Sequence, residues 1–199
     1  MKRNILKSIK LTFTFCVVLG VSYVLVLFFF GMIVGPGHGK PEMVEDAQGN
    51  VVGAANVGQI FTKDYYFWGR PSANDYDGTA SGGTNKAPTD SCYLALVEER
   101  IEAFLASNPG VSREEVPAEL VTASGSGLDP DMSPEAAEVQ VARVAAARGV
   151  SVEAVDSVLT AHVQGPLAGV FGPSKVNVLK LNVALDSTFG KVAVQSSEE

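Results

Sequence analysis

A set of serine, aspartate and histidine residues in the second half of the chain could belong to a hydrolase. Its members are Ser124, Ser126, Asp129 and His162. A serine nucleophile elbow requires Gly-x-Ser-x-Gly on a strand-to-helix turn, and neither serine has a glycine two residues before it. His162 falls on the apolar stripe of a predicted helix, where a packed histidine with one hydrogen bond is commoner than a catalytic base. These residues therefore support hydrolysis only weakly, and we predict no catalytic residue.

The glycine-rich stretch Ser124–Gly127 could also cradle a phosphate, since glycines let backbone N–H groups approach an anion. The Gly-Lys-[Ser/Thr] sequence that completes a P-loop does not follow it. Two glycines followed by Asp129 and Pro130 are equally typical of a tight corner between two elements. We interpret the stretch as such a corner, and we predict no cofactor bound directly by this chain.

Residues that bind metals are scarce in the sequence. His38 and His162 are the only histidines, and there is no Cys-x-x-Cys pair, so the spacing predicts no metal site. The two cysteines fall in different parts of the chain, with Cys16 inside an apolar run and Cys92 in the polar remainder. We therefore expect Cys92 to be unpaired within the chain.

The aromatic stretch Tyr65–Ser72 contains the residues most typical of a protein interface, namely Trp68, Gly69, Arg70 and Pro71. Tryptophan and arginine are enriched at interface centres, because they desolvate a large area and keep a polar group available. The alternative is that Trp68 packs into a minor core with Arg70 over its ring. The sequence leaves these two interpretations open.

The apolar run Leu11–Val34 determines where the candidate site residues lie relative to a membrane. Its 24 residues would form a helix of about 36 Å, long enough to cross a hydrocarbon core of about 30 Å. A cleaved signal peptide would have a shorter apolar region that ends in small residues, whereas this run ends in bulky ones. Within it, Thr12, Cys16 and Gly20 recur every four residues and predict a face for packing against other membrane helices.

Charge is distributed unevenly about that run. Four of the 15 basic residues and none of the 22 acidic residues precede it, so the N-terminus is predicted to lie in the cytoplasm and the remainder outside. The remainder holds 11 basic and 22 acidic residues, a net charge of −11. That balance argues against nucleic acid and against anionic lipid surfaces as partners, because both select basic patches.

These features predict a single N-terminal transmembrane helix plus one mixed α/β (α+β) extracytoplasmic domain. The predicted parts are a basic cytoplasmic N-terminus at 1–10, the membrane helix at 11–34, the extracytoplasmic domain at 35–186 and a polar, disordered tail at 187–199. A Gly/Pro-rich breaker and linker at 35–41 joins the helix to the domain.

Hydrophobic periodicity and turn residues predict the elements of that domain. Strands are predicted at 43–44, 51–52, 120–123 and 177–186, and a long exposed loop at 74–88. Helices are predicted from Ser91 to Ser107, from Ser133 to Gly149 and from Ser151 to Gly165. The first of these helices should bury a stripe that includes Leu94 and Phe104.

Several of these stretches, taken in order, resemble the C subunit of the bacterial Kdp potassium-transporting P-type ATPase. The matching pieces are the single N-terminal span, GQIFTKDYYFWGRPSA (58–73), SGGTN (81–85), the segment 120–149 that contains TASGSGLDP, and VNVLKLNVALD (176–186). The similarity runs from the membrane helix to Asp186, and the combination of YFWGRPSA with TASGSGLDP is specific. The tail after Asp186 lies outside it.

The resemblance implies an accessory subunit that is not an enzyme by itself. Members of that family sit beside a channel-like potassium-binding subunit and a catalytic P-type ATPase subunit, support their assembly, and act as a chaperone that raises the ATP affinity of the catalytic subunit. ATP and potassium would then be handled by those partners, in a bacterial cell membrane that this chain crosses once. The alternative is an independent, membrane-tethered hydrolase or ligand-binding domain.

Under this resemblance, the outer domain is expected to rest on the extracytoplasmic face of the potassium-binding subunit. The predicted contacts are Trp68, Gly69, Arg70, Pro71, Ser124, Gly125, Ser126, Gly127, Asp129 and Pro130. The membrane helix would pack among the helices of its partners through Thr12, Cys16 and Gly20.

Overall fold

The computed structural model of the chain describes residues 2–192. Contacts between backbone positions divide the chain into two units, Met1–Glu42 and Met43–Glu199. The first unit is built on one long helix, and the second, the body, combines helices with two small sheets. The end of the predicted tail, 193–199, lies outside the described residues.

The long helix of the first unit begins at Lys2 and ends at Val34. It consists of α1 (Lys2–Val17), one π turn (Val18–Ser22) and α2 (Tyr23–Val34). The stretch Arg3–Val34, with 32 residues, is long and apolar enough to cross a membrane, and it would measure about 48 Å. The helix starts before the predicted Leu11, because the lysines and arginine at its start are good helix formers.

The helix ends where the sequence predicts a breaker. Gly35 has an extended conformation (ψ 145°) and closes α2. The short 3₁₀ turn Pro36–Gly39 follows, with Gly37 and His38 in the left-handed region (φ 61° and 57°). Gly and Pro do not continue a helix cheaply, so the change of direction follows from the local sequence.

The body contains two antiparallel sheets. The first is the hairpin of β1 (Met43–Glu45) and β2 (Val51–Ala54), which confirms the predicted strand pair. In the second, β5 (Lys175–Asn177) lies between β3 (Asp131–Met132) and β4 (Val163–Gln164). The helices are α3 (Ser91–Ser107), α4 (Pro134–Glu138), α5 (Val141–Arg148), α6 (Val152–His162) and α7 (Val178–Phe189).

The core lies among helices α4 to α7 and strand β5. Its largest fully buried side chains include Phe67, Met132, Val144, Val155, Val176, Leu181 and Leu185. Side-chain oxygens accept hydrogen bonds from free N–H groups at the starts of α3, α4 and α6, where the caps are Asp90, Ser133 and Ser151. These helices therefore begin where the sequence predicts, and the left-handed Gly149 (φ 67°) ends α5 as predicted.

The predicted strand at 177–186 is wrong, because this segment forms α7. Its leucines and valines alternate with polar residues, but the buried side chains fall on one face of a helix: Val178, Leu179, Leu181, Asn182 and Leu185. Asn177 starts the helix by accepting a hydrogen bond from the backbone N of Lys180 (3.0 Å). The helix continues to Phe189, so residues 187–189 do not belong to a disordered tail.

Three further predictions about helices and strands need correction. Residues 120–123 do not form a strand: they follow a 3₁₀ turn, and Thr122 Oγ1 donates to Ala118 O (2.7 Å). The predicted helix 133–149 is interrupted at Gln140, between α4 and α5. Helix α3 has the predicted bounds, yet Phe104 is its only buried residue and Leu94 is 52% exposed. A stripe at helical spacing predicts a helix, but not how much of it a neighbour covers.

Two buried amide side chains hold the aromatic segment in place. No helix or strand lies between Ala54 and Ser91, so this segment has no sheet neighbour. Asn182 bonds both backbone groups of Phe67: Phe67 N donates to Oδ1 (2.8 Å), and Nδ2 donates to Phe67 O (3.0 Å). Gln140 does the same for Trp68, with Trp68 N donating to Oε1 (2.9 Å) and Nε2 donating to Trp68 O (3.1 Å). We call Asn182 and Gln140 the amide clamps.

Replacing one clamp should destabilise the body. In Asn182→Leu the shape is nearly kept, but both backbone groups of Phe67 lose their partners inside the protein. We expect the free energy of unfolding to fall by about 3 kcal/mol. Urea unfolding of the full chain in detergent, followed by the fluorescence of the lone Trp68, measures this. The control is Thr188→Val on the exposed side of the same helix, and equal stability of the two variants would contradict the clamp.

Candidate functional site

The two motifs that predict a partner contact lie against each other in the body. Arg70 Nη1 is 2.9 Å from Asp129 Oδ2. The backbone N of Ser124 donates to Pro71 O (3.1 Å), and Ser72 Oγ donates to Gly127 O (2.7 Å). The tight corner predicted from the glycines is therefore joined to the aromatic motif by an ion pair and by backbone hydrogen bonds.

A third stretch that carries the family resemblance, SGGTN, joins the same cluster. Gly82 N donates to Ser126 O (2.8 Å), and Ser81 Oγ donates to that carbonyl as well (3.1 Å). Gly83 lies so close to the corner that a Cβ on it would be 3.1 Å from Gly125 O. We call residues 69–76, 81–83 and 124–130 together the corner cluster.

The corner cluster contains two consecutive residues with left-handed backbones, Asp75 (φ 53°) and Tyr76 (φ 59°). Such conformations are unfavourable for residues other than glycine and persist only where surrounding contacts fix them. Here Tyr76 N donates to Ser72 Oγ (2.9 Å), and Tyr76 Oη donates to Arg70 O. Burial raises the pKa of the Tyr76 phenol, and the charge of Asp129 raises it further, so this donor stays protonated at neutral pH.

Only part of the corner cluster faces outward. Ser124 and Gly127 are buried, whereas Gly125 is exposed. The side chains of Arg70 and Asp129 are 25% and 29% exposed. The predicted contact residues thus divide into those that hold the cluster together and a small outward surface centred on Gly125.

Trp68 is half-buried against the body's core. Its ring packs against the main hydrophobic cluster, and its Nε1 donates to Lys63 O (3.0 Å). The cation over the ring is Arg143, 4.0 Å from the ring centroid, and not the Arg70 that the second of the two open interpretations places there. Arg70 instead turns toward Asp129.

Comparison with known proteins decides the family. A family model described as KdpC, the c chain of the K⁺-transporting ATPase, matches residues 5–187 of this chain. The chain belongs to the KdpC family.

Relatives from several bacteria agree with this assignment. The Potassium-transporting ATPase KdpC subunit of Phocaeicola vulgatus is 57% identical over 186 residues, covering 92% of this chain and 98% of that protein. Proteins of the same name from Flavobacterium psychrophilum and Caulobacter vibrioides are 46% and 44% identical, over 92% and 91% of this chain and 98% and 91% of their own lengths. The resemblance stated from the sequence is confirmed, and the chain is a subunit of the K⁺-transporting ATPase.

Arg143 is a structural residue of this KdpC-family chain that the sequence analysis missed. Its guanidinium donates to Gln140 Oε1 (2.6 Å), Asn108 Oδ1 (3.1 Å) and the carbonyls of Asp64 (2.6 Å) and Tyr66 (3.0 Å). Burial lowers the pKa of Arg143 to about 10, with partial compensation from the charge of Asp64. The group is still charged at neutral pH, and its hydrogen bonds tie α5 to the aromatic segment.

A second tie connects the end of α5 with α7. Arg148 Nη2 lies 2.8 Å from Asp186 Oδ1, and Tyr66 Oη donates to Asp186 Oδ2 (2.6 Å). Burial and the hydrogen bond to Asp186 raise the pKa of the Tyr66 phenol above its usual value. The sequence held one sign of these contacts. Polar residues such as Gln140 and Arg143 occupy buried positions of the predicted helices.

The hydrolase candidates are not assembled into a triad. His162 Nδ1 lies 2.8 Å from Val158 O within its own helix, and the residue is half-buried, which agrees with the packed histidine expected from the sequence. Ser124 Oγ accepts from Gly127 N (2.9 Å), and Asp129 pairs with Arg70. Among residues 2–192, no hydrogen bond joins His162 to either serine, and no group of three or more His, Cys, Asp or Glu side chains is placed to hold a metal ion.

Two of the corner's backbone N–H groups donate within the corner itself. Gly127 N donates to Ser124 Oγ, and Leu128 N donates to Ser126 Oγ (3.1 Å). Those donors are therefore not directed at a ligand, in contrast to the open N–H groups of a phosphate-binding loop. The composition of the stretch is explained by the turn.

The predicted small-residue face lies on the long helix. Thr12 and Cys16 are one turn apart on α1, and Gly20 lies within the π turn. All three are exposed in the first unit, and a Cβ on Gly20 would meet no atom within 4 Å. Packing of this face against other membrane helices stays a prediction.

A side chain at position 127 should disrupt the corner cluster. Gly127 has φ 71°, and an added Cβ would clash with the Asn74 side chain and lie 2.9 Å from Gly82 O. We expect Gly127→Ala to lower the free energy of unfolding by about 2 to 3 kcal/mol. The matched control is Gly125→Ala, because a Cβ there meets nothing within 4 Å. Urea unfolding of both variants checks this, and equal midpoints would mean that the corner is not constrained as described.

Proposed function

We propose that the chain is a non-catalytic accessory subunit of an ATP-driven potassium uptake system. In this role it supports assembly of the complex and raises the ATP affinity of the catalytic P-type ATPase subunit, while its partners handle ATP and potassium. The observation that carries the proposal is the match to the KdpC family over residues 5–187, which includes both the long helix and the body. The amide clamps and the self-bonded corner cluster are consistent with a body that acts through its shape.

For the topology, the proposal is an N-terminus in the cytoplasm, one crossing by residues 11–34 and an extracytoplasmic domain at 35–186. Support comes from the charges: Arg3, Lys7 and Lys10 lie in the first turns of α1, and no acidic residue precedes Glu42. Basic residues adjoining a membrane helix stay on the cytoplasmic side. The complex would lie in the bacterial cell membrane.

For the partner contact, the proposal is that the corner cluster faces the potassium-binding subunit. The outward surface around Gly125, with the half-buried Ser126, Asp129 and Pro130 beside it, supplies the contact. The buried Ser124 and Gly127 and the half-buried Trp68 keep that surface in shape. An effect on ATP use would pass through the partner subunits as a coupling free energy between two sites.

Labelling of Cys92 tests the topology. Cys92 is free and exposed on α3, and Cys16→Ala leaves it as the lone thiol, since the chain has two cysteines. We expect a membrane-impermeant maleimide to label Cys92 in intact cells. In the control chain with Cys16→Ala, Cys92→Ser and Asn4→Cys, labelling should require lysis. Labelling of Cys92 only after lysis would reverse the proposed orientation.

A bulky side chain at Gly125 tests the partner contact. Gly125 is exposed and has open space around it, so Gly125→Trp should fold normally but obstruct docking. We expect recovery of the other ATPase subunits with the tagged chain to fall about tenfold or more, a loss equivalent to one well-packed contact. Gly110→Trp, at an equally open and exposed glycine, is the control. Equal recovery with both variants would remove the corner cluster from the interface.

A further inference from the structure

The loop between β4 and β5 presents apolar side chains to solvent. Residues 165–174, GPLAGVFGPS, contain no charged residue. Leu167, Val170 and Phe171 are 76%, 77% and 70% exposed, the highest values among the large hydrophobic residues that the structure describes in the body. Apolar residues of this size scattered singly are ordinary, whereas three on one short loop are a candidate for an interaction surface. We call residues 165–174 the apolar loop.

The apolar loop has a defined shape. Leu167 and Phe171 exchange both backbone hydrogen bonds, with N–H···O distances of 2.8 and 3.0 Å, and form an antiparallel pair. Between them, Ala168 and Gly169 have left-handed backbones (φ 54° and 74°), which close the tip tightly. Side chains of two directly opposed residues lie on the same face of a ribbon. Leu167 and Phe171 therefore form one preformed apolar surface.

We propose that the apolar loop inserts into an apolar, uncharged pocket on a membrane-embedded subunit of the same K⁺-transporting ATPase. The inference rests on the proposed function, because it presupposes assembly with the other subunits. The apolar loop would be a second contact site besides the corner cluster, with a different chemistry. Burial of these side chains would be driven by the hydrophobic effect, whereas the outward surface around Gly125 is polar and small.

The charges around the apolar loop favour a protein pocket, and not the lipid surface, as its binding partner. Loops and helices that bind bilayers combine apolar residues with Lys and Arg for anionic headgroups. The nearest cation in sequence, Lys175, is paired with Asp131 at 2.6 Å, and the chain after the long helix carries a net charge of −11. Depletion of charge with an aromatic residue at the centre is the composition of a protein interface core.

Photo-crosslinking from the tip identifies what the apolar loop touches. The full chain, with Phe171→p-benzoylphenylalanine, is expressed together with the other subunits and irradiated in membranes. We expect a covalent product with another polypeptide of the complex. A product with lipid alone, a product with a second copy of this chain, or no product would overturn the proposal. The same probe at Val152, which is 47% exposed and starts α6 at the end far from β4, should give no such product.

Charge substitution on the same face measures the contribution of the apolar loop to assembly. We expect Leu167→Glu with Phe171→Glu to lower recovery of the other subunits about tenfold or more, and Phe171→Leu to retain it. Val152→Glu is the control, since an acidic residue is tolerated in the first turn of a helix. The Trp68 fluorescence and unfolding midpoint should match those of the unaltered chain, because the three tip side chains are outside the core.

The two proposals fail in different ways. If the unaltered chain recovers no other subunit, the proposed function is wrong. If the unaltered chain recovers them and the double glutamate variant recovers them equally well, only the role of the apolar loop is wrong.

Discussion

The body depends on satisfying the backbone of an irregular segment that runs through its core. Phe67 is fully buried, and a buried N–H or C=O without a partner costs about 1–3 kcal/mol. No strand lies beside it, so the carboxamides of Asn182 and Gln140 supply the donor and the acceptor that a neighbouring strand would have offered. Asn182 lies on α7 and Gln140 lies between α4 and α5. The aromatic segment therefore connects these helices.

The hydrogen bonds of the amide clamps also fix the position of the corner cluster. Once Trp68 is held by Gln140, the next residues emerge from the core at a set place, and Arg70 reaches Asp129. Pro71 then accepts a main-chain hydrogen bond from Ser124, and the Ser72 hydroxyl donates to the carbonyl of Gly127. The outward surface is therefore tied to the core beneath it through these contacts.

Local signals in the sequence predicted much of this fold. The apolar run, the helix starts at Ser91, Ser133 and Ser151, and the stop at Gly149 were confirmed, because each is decided within a few residues. The strand at 177–186 was wrong, since the same run also has apolar residues at helical spacing, at Val178, Leu181 and Leu185. The proximity of the two motifs could only be expected from the family resemblance. Arg143 over Trp68 and the amide clamps were not foreseen, because they join residues about 70 to 115 positions apart and no spacing rule reports such pairs.

The π turn Val18–Ser22 has a consequence for how the long helix meets its neighbours. A π turn holds one residue more than an α turn, so every later side chain is rotated by about 100° around the axis relative to an uninterrupted helix. A helical wheel drawn through the whole sequence therefore misaligns the two halves. Thr12 and Cys16 point in one direction, and the side chains of α2 are turned by about 100° from the directions that an uninterrupted helix would give them, so the four-residue spacing of small residues on α1 does not continue as the same face on α2.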